Sequence, residues 1–582
     1  MSASRQRMAD PVVTGVSRKA PAWSLFVLWL FSAGAMATLP RGHAIASAHP
    51  LATEAGRLVI EAGGNAFDAA VAVSAALAVV EPYGSGLGGG GFWLLHRASD
   101  RHEVMIDGRE RAPAAATADM YLDANGQVIN GASIDGVLAA GIPGAPAALV
   151  HIAEHYGRLP LAVSLQPAII LARDGFPVDE AYRRMAEWRL AALRASPAAA
   201  AQFLVGGDVP PAGHRLRQPD LAKTLEAIAS AGMRAFYEGE IARHLVDGVR
   251  AHGGIWTLED LRDYRVVERA PVELRLQGKR LVSASLPSSG GVLLAQMLMM
   301  LDARGTAGLG VADRTHLLVE VMRRAYADRA RYLGDSDHVH VPLARVLSRG
   351  RAQRRAQQID MARATPSTRE ALAVGEGQDT SHFSILDREG NRVAATLSVN
   401  YPFGSGFVAA GTGVLLNDEM DDFSARPGSA NVYGLVGNDA NAIAPGKRML
   451  SSMSPTFYEH GDVVTILGTP GGSRIISQVL LGLLDADSGL PLSELVAKGR
   501  FHHQYLPDRI DVEPGALDES VLAELQRRGH TIRRLEQPYG NMQAVRWDRR
   551  SGAVDAAADP RGIGQAVLFH TEIGRAGSVQ GR

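Results

Sequence analysis

The stretch "GQDTSHFSILD", residues Gly377–Asp387, puts a threonine between an aspartate and a Ser-His pair at the mouth of an apolar run. "FSILD" and the following "RVAATLSV" read as two strands joined by the turn "REGN". A threonine hydroxyl is a poor nucleophile until a base takes its proton, and one solution is the residue's own free α-amine. With a reference pKa of about 7.7–8.0, much of such an amine is neutral near neutral pH. Thr380 owns that amine only if the Asp379–Thr380 peptide bond is broken. Taken alone, "DTSH" is common and unspecific and reads as a capped strand start, so the rest of the chain has to decide.

The chain has 582 residues, 46% hydrophobic and 21% charged, which is ordinary for a soluble globular protein. Its net charge of -1 argues against a nucleic-acid partner, which calls for a basic excess. It has no cysteine, which excludes disulfides, thiolate metal sites and a cysteine nucleophile. At the start, Arg5, Arg7, Arg18 and Lys19 precede "WSLFVLWLF" and then "SAGAMA", with Ala35 and Ala37 in an A-x-A arrangement. That is the layout of a secretory signal peptide over residues 1–37, and it predicts a periplasmic or secreted protein. The apolar part is short for a membrane span, although an uncleaved anchor is the alternative.

Beyond the leader, "EAGGNAFDAAVAVSAALAVVEP" predicts a helix that starts after Gly63-Gly64, with Asn65 as N-cap and Asp68 three residues on. Its Ala/Val-rich faces suit burial between layers. Gly84, Gly86 and Gly89 satisfy G-x-G-x-x-G, but a helix precedes them and a strand follows, the reverse of a dinucleotide site. The glycines read instead as a turn where backbones pack closely. Residues 145–264 read as mostly helical, "APVELRLQGKRLVSAS" as strands and "THLLVEVMRRAYADRARYL" as an amphipathic helix. Beyond Thr380 strands dominate, and the order suggests stacked sheet and helix layers.

Two metal look-alikes, Asp335/Asp337/His338/His340 and His502/His503, lack a recognised ligand spacing. No Walker motif and no G-x-S-x-G elbow occurs. The expectation is no metal and no cofactor.

The motifs around Thr380 go further. "GGNAFDAAVA", "GLGGGGF", "DGRERAP", "LPSSGG", "YADRARYLGD", "LSVNYPFGSG", "LLNDEMDDFSARPG", "GKRMLSSMSPT", "GTPGGSR" and "RFHHQYLPD" occur in that order. Together they resemble the gamma-glutamyltranspeptidase family from about His43 to Arg561. The resemblance implies an N-terminal-nucleophile hydrolase fold, an α+β four-layer αββα sandwich. It implies self-cleavage at Asp379–Thr380 into a large subunit, 38–379, and a small one, 380–582, which stay together as one unit.

The family pattern makes Thr380 the nucleophile that attacks the γ-carbonyl of glutathione or another γ-glutamyl compound. Water or an amino acid or peptide then accepts the acyl group. Ser398, where many members carry threonine, would hydrogen-bond the nucleophile. Gly471 and Gly472 would hold the oxyanion on their backbone amides. Arg109 would grip the substrate α-carboxylate with Ser451 and Ser452 as helpers; Arg111 is its nearby competitor. Asn400, Glu419 and Asp422 would accept from the α-ammonium, Glu419 standing where some relatives have glutamine. Residues 424–448 resemble a lid loop, with Tyr433 as the shielding aromatic; certain cephalosporin acylases lack this loop. The alternatives are an acylase for glutaryl or β-lactam side chains, and an inactive γ-glutamyl-peptide binding protein.

Overall fold

The computed structural model describes residues 38–367 and 380–570. The predicted leader and Asp379 lie outside the described residues. The two strands read around Thr380 are Ser381–Leu386 and Arg392–Ser398, paired antiparallel with Ser381 opposite Leu397. They are central in a seven-stranded antiparallel sheet. His43–Ser47 and then Gln565–Phe569 flank them on one side. Gly90–Arg97, His102–Gly108 and Val267–Arg269 follow on the other. A second antiparallel sheet of six strands runs Val554–Ala558, Gln543–Asp548, Val463–Gly468, Thr456–His460, Lys279–Ser283 and Val272–Leu276.

Period-2 alternation divides the first sheet between two cores. Ile45, Trp93, Ile106, Phe383, Ile385 and Val393 belong to the core under the first helical layer. Ala44, Phe92, Leu94, Met105, Leu386 and Ala394 share a core with the second sheet and with helices Gly290–Arg304, Val311–Tyr332 and Ile475–Asp487. The layers run helix, sheet, sheet, helix, the expected αββα sandwich. Helix Ala66–Val80 is buried along its whole length, and Asn65 and Asp68 close the capping box at its start. Asp68 also accepts from the backbone of Arg158 and Leu159, which ties the helix start to a neighbouring turn.

The glycine run is a close-approach device. A Cβ on Gly88 would meet the Leu415 carbonyl oxygen at 1.9 Å, and one on Gly89 the Ser398 oxygen at 2.1 Å. Both lie against segments that lead into the site, so only glycine fits there. Among the described residues no helix is long and apolar enough to cross a membrane.

Candidate active site

The register pairing Ser381 with Leu397 brings Thr380 opposite Ser398, whose Oγ lies 3.4 Å from Thr380 Oγ1. Thr380 is 8% exposed and has φ +100°, a region that a β-branched residue rarely occupies. Such a conformation costs about 1–3 kcal/mol and persists only where the surroundings impose it. Ser398 Oγ also accepts from the Asn400 amide at 2.8 Å. Asn400 has φ +73°, which its side chain tolerates, and its Nδ2 donates to the Asp418 carbonyl at 3.1 Å.

One small cavity gathers Arg109, Thr380, Ser398, Asn400, Glu419, Asp422, Tyr433, Ser451, Ser452 and Gly472. Its free volume of about 20 Å³ is close to that of a single water. Arg109 follows the strand His102–Gly108; Asp107 Oδ1 accepts from its amide and Tyr264 OH donates to its carbonyl. Each of its three guanidinium nitrogens donates a hydrogen bond. One Nη donates to Glu419 Oε2, the other to Asp422 Oδ2 at 2.5 Å, and Nε donates to the Met449 carbonyl. Arg111 points elsewhere, donating to the carbonyls of Gly446 and Asp263.

Both carboxylates ride on the short 3-10 turn Glu419–Asp422. Asn417 anchors that turn: its Oδ1 accepts from the amides of Glu419 and Gly141, and its Nδ2 donates to the carbonyls of Gly88 and Gly141. Burial pushes the Glu419 carboxyl up to about 7 while the Arg109 charge pulls it back. Glu110, whose carboxylate is 3.6 Å from Arg109, is pushed well above the ordinary range, first by burial and then by Glu419. Three acidic groups thus surround one guanidinium, and both Glu110 oxygens lack a hydrogen bond.

Ser451 Oγ accepts from the Met453 amide, and Ser452 Oγ accepts from the buried Arg329 at 3.4 Å. Tyr433 lies across the cavity, its OH donating to the Asn400 carbonyl at 2.8 Å. A Cβ on Gly472 would meet the Tyr433 ring at 2.8 Å. Gly471 and Gly472 have φ +129° and +54°, conformations that glycine alone takes readily. Gly472 lines the cavity, and Gly471 precedes it directly in the chain.

The family model for gamma-glutamyltranspeptidase matches residues 52–569. The chain belongs to the gamma-glutamyltranspeptidase family. A glutathione hydrolase proenzyme of Escherichia coli strain K12 is 42% identical over 527 residues, 89% of this chain and 90% of that one. One from Pseudomonas aeruginosa is 42% identical over 545 residues, 92% and 96% of the two chains. Among solved structures, a cephalosporin acylase from Bacillus halodurans superposes with a TM-score of 0.81 at 26% identity, covering 96% of this chain and 99% of its own.

For this gamma-glutamyltranspeptidase family member, the site set expected from sequence lies together except for Gly471, one residue back. Of the look-alike metal residues, Asp335, Asp337, His338, His502 and His503 are engaged in hydrogen bonds and ion pairs. Asp335 accepts from His338 and from the Arg448 amide, and Asp337 pairs with Arg269. His502 bonds Ser477 and Gln504; His503 bonds Asp508. Among the described residues no group of three or more His, Asp or Glu side chains is arranged to hold a metal ion. His382, the histidine of "DTSH", is buried between the sheets, bonded to Thr396 Oγ1 and held near 3 by burial, so it is no base for Thr380. Sequence reading missed Glu110, Asn417 and Arg329. Glu110 sat in plain view inside "DGRERAP", but a lone acid between two arginines reads as surface charge.

Proposed function

We propose that this protein is a self-processing gamma-glutamyltransferase and hydrolase acting on glutathione and related γ-glutamyl compounds. One observation carries the reading. The cavity that holds Thr380 also holds a guanidinium facing two carboxylates, Glu419 and Asp422. Here the protein's own charges pair with each other. A γ-glutamyl head is a zwitterion with the complementary pair, so it enters by exchange of partners. Its α-carboxylate takes the Arg109 fork, assisted by Ser451 and Ser452, and its ammonium takes Glu419, Asp422 and Asn400. Tyr433 then covers the head.

Scission of Asp379–Thr380 frees an amine beside the Thr380 hydroxyl, and the strained φ of Thr380 supports scission at that point. The amine takes the hydroxyl proton as Oγ1 attacks the γ-carbonyl, with Ser398 holding Oγ1 in line. The backbone amides of Gly471 and Gly472 stabilise the oxyanion; one such donor is worth about 3–4 kcal/mol. The amine proton passes to the leaving group. Water or an acceptor amine then repeats the sequence on the acyl-enzyme and releases glutamate or a new γ-glutamyl product. Residues 38–379 and 380–582 form the two subunits, and the leader over residues 1–37 exports the precursor to the periplasm or beyond.

The likeness to a cephalosporin acylase raises deacylation of a glutaryl group as a second reading. A glutaryl head has no ammonium and leaves Glu419 and Asp422 without a counter-charge once Arg109 turns away. Turnover of γ-glutamyl and glutaryl p-nitroanilides separates the readings. We expect the γ-glutamyl substrate to lead by about 10²-fold or more in kcat/KM. Equal rates, or a lead for glutaryl, would sink the transferase reading.

A further inference from the structure

Thr380 also borders a second cavity, of about 840 Å³, whose lining does not include Arg109. Glu81, Tyr83, Arg184, Trp188, Tyr539 and Arg561 line it. Glu81 caps the C-terminal end of the buried helix Ala66–Val80 and is 5% exposed. Its Oε2 accepts from Ser381 Oγ at 2.5 Å, and Ser381 Oγ lies 3.1 Å from Ser85 Oγ. A Cβ on Gly84 would stand 2.8 Å from Ser381 Oγ and 3.5 Å from the Glu81 carboxyl carbon. The first glycine of the run is therefore what lets the acid reach the strand. Among the described residues no Lys, Arg or His forms a salt bridge with Glu81. Buried carboxylates next to a nucleophile and without a cationic partner cluster at functional sites, and Glu81 is one, hydrogen-bonded to the residue after Thr380.

We propose that Glu81, acting through Ser381, is a positioning residue that sets the protonation of the amine which Thr380 gains when the chain is cut. The proposal rests on Thr380 being the nucleophile. Bond lengths alone keep the Glu81 carboxylate within about 10 Å of the Thr380 nitrogen. At an effective dielectric of about 20, a unit charge at that distance is worth about one pKa unit. The sign is definite: an anionic Glu81 favours the ammonium form, and the reaction needs the free amine.

Glu81 is also placed to change charge in the working range. Burial pushes it up to about 7, the Ser381 hydrogen bond opposes this, and Asp179 adds to it. The other charged or titratable groups facing this region are Tyr83, Arg184, Tyr539 and Arg561 on the cavity wall, and His49 beside Asp179. Arg561 is already committed to Glu513 and Asp559.

The test is kcat/KM against pH for hydrolysis of γ-glutamyl-p-nitroanilide by mature wild-type, Glu81→Gln and Ser381→Ala proteins. Glu81→Gln keeps an oxygen for Ser381 and removes the charge, so the acidic limb should move down by about one pH unit. Ser381→Ala removes the bond that favours the charged carboxylate, so its limb should move the same way by less. A merely structural role would lower yield or melting temperature and leave the limb in place. An unmoved limb in Glu81→Gln overturns the proposal; should that variant not mature, an unmoved limb in Ser381→Ala does so. A Thr380→Ala protein that still cleaves itself would instead overturn the nucleophile reading.

Discussion

Thr380 is asked to be scissile residue, nucleophile and base in one. Thr380→Ala should therefore leave a single uncut chain with no turnover, read by intact mass. In the unmodified protein, amino-terminal sequencing of the smaller fragment should begin at Thr380. Arg109 carries the other half of the site. Arg109→Ala removes the guanidinium partner of the buried Glu419 and of the largely covered Asp422, a change that costs about 3–5 kcal/mol in comparable pairs. Its melting temperature should drop and KM for the γ-glutamyl donor should rise well beyond any fall in kcat. Glu419 has a pH signature of its own. Its folded pKa is raised, so the folded state holds the proton longer than the unfolded chain, and stability is lost as pH climbs from about 4.5 to about 7. Glu419→Gln should flatten the melting temperature across that window, as calorimetry at pH 5, 6, 7 and 8 would show. These residues were singled out through the family likeness of the motifs that hold them, since an arginine or a carboxylate alone reads as a solvated charge. Glu110 was not, because its meaning comes only from Glu419, about three hundred positions away.

At the level of elements, the helix starting at Asn65 and the strand pair after Thr380 were readable from local pattern. A capping box and period-2 alternation are short-range signals. Asn65→Ala should remove one arm of that box and cost about 1 kcal/mol, measurable as a shift in the urea midpoint. The 3-10 turn Glu419–Asp422 was not readable as a turn, since Asn417 holds it through contacts with Gly88 and Gly141 that lie far off in sequence. Sequence showed the lid only through family likeness. The bond from Tyr433 OH, within that segment, to the Asn400 carbonyl is long-range and has no local trace.

For the molecule as a whole, the order of strands could not be read from the chain, because neighbours such as His43–Ser47 and Ser381–Leu386 are joined by more than three hundred residues. That order makes the two proposed subunits interleave: Ser381–Leu386 and Arg392–Ser398 lie between strands of the other subunit, and Lys279–Ser283 borders Thr456–His460 in the second sheet. The cut protein should elute as one species in size-exclusion chromatography and resolve into two bands only under denaturation. The same weave bears on recovery from heat. The uncut precursor folds as one molecule, at a rate indifferent to dilution. Once scission has occurred, regaining the native state is a second-order reunion of two partners, each missing neighbours for its hydrogen-bonding edges. Damage to the mature enzyme should thus grow less reversible the more dilute the sample, while an uncleavable precursor would recover equally at any concentration.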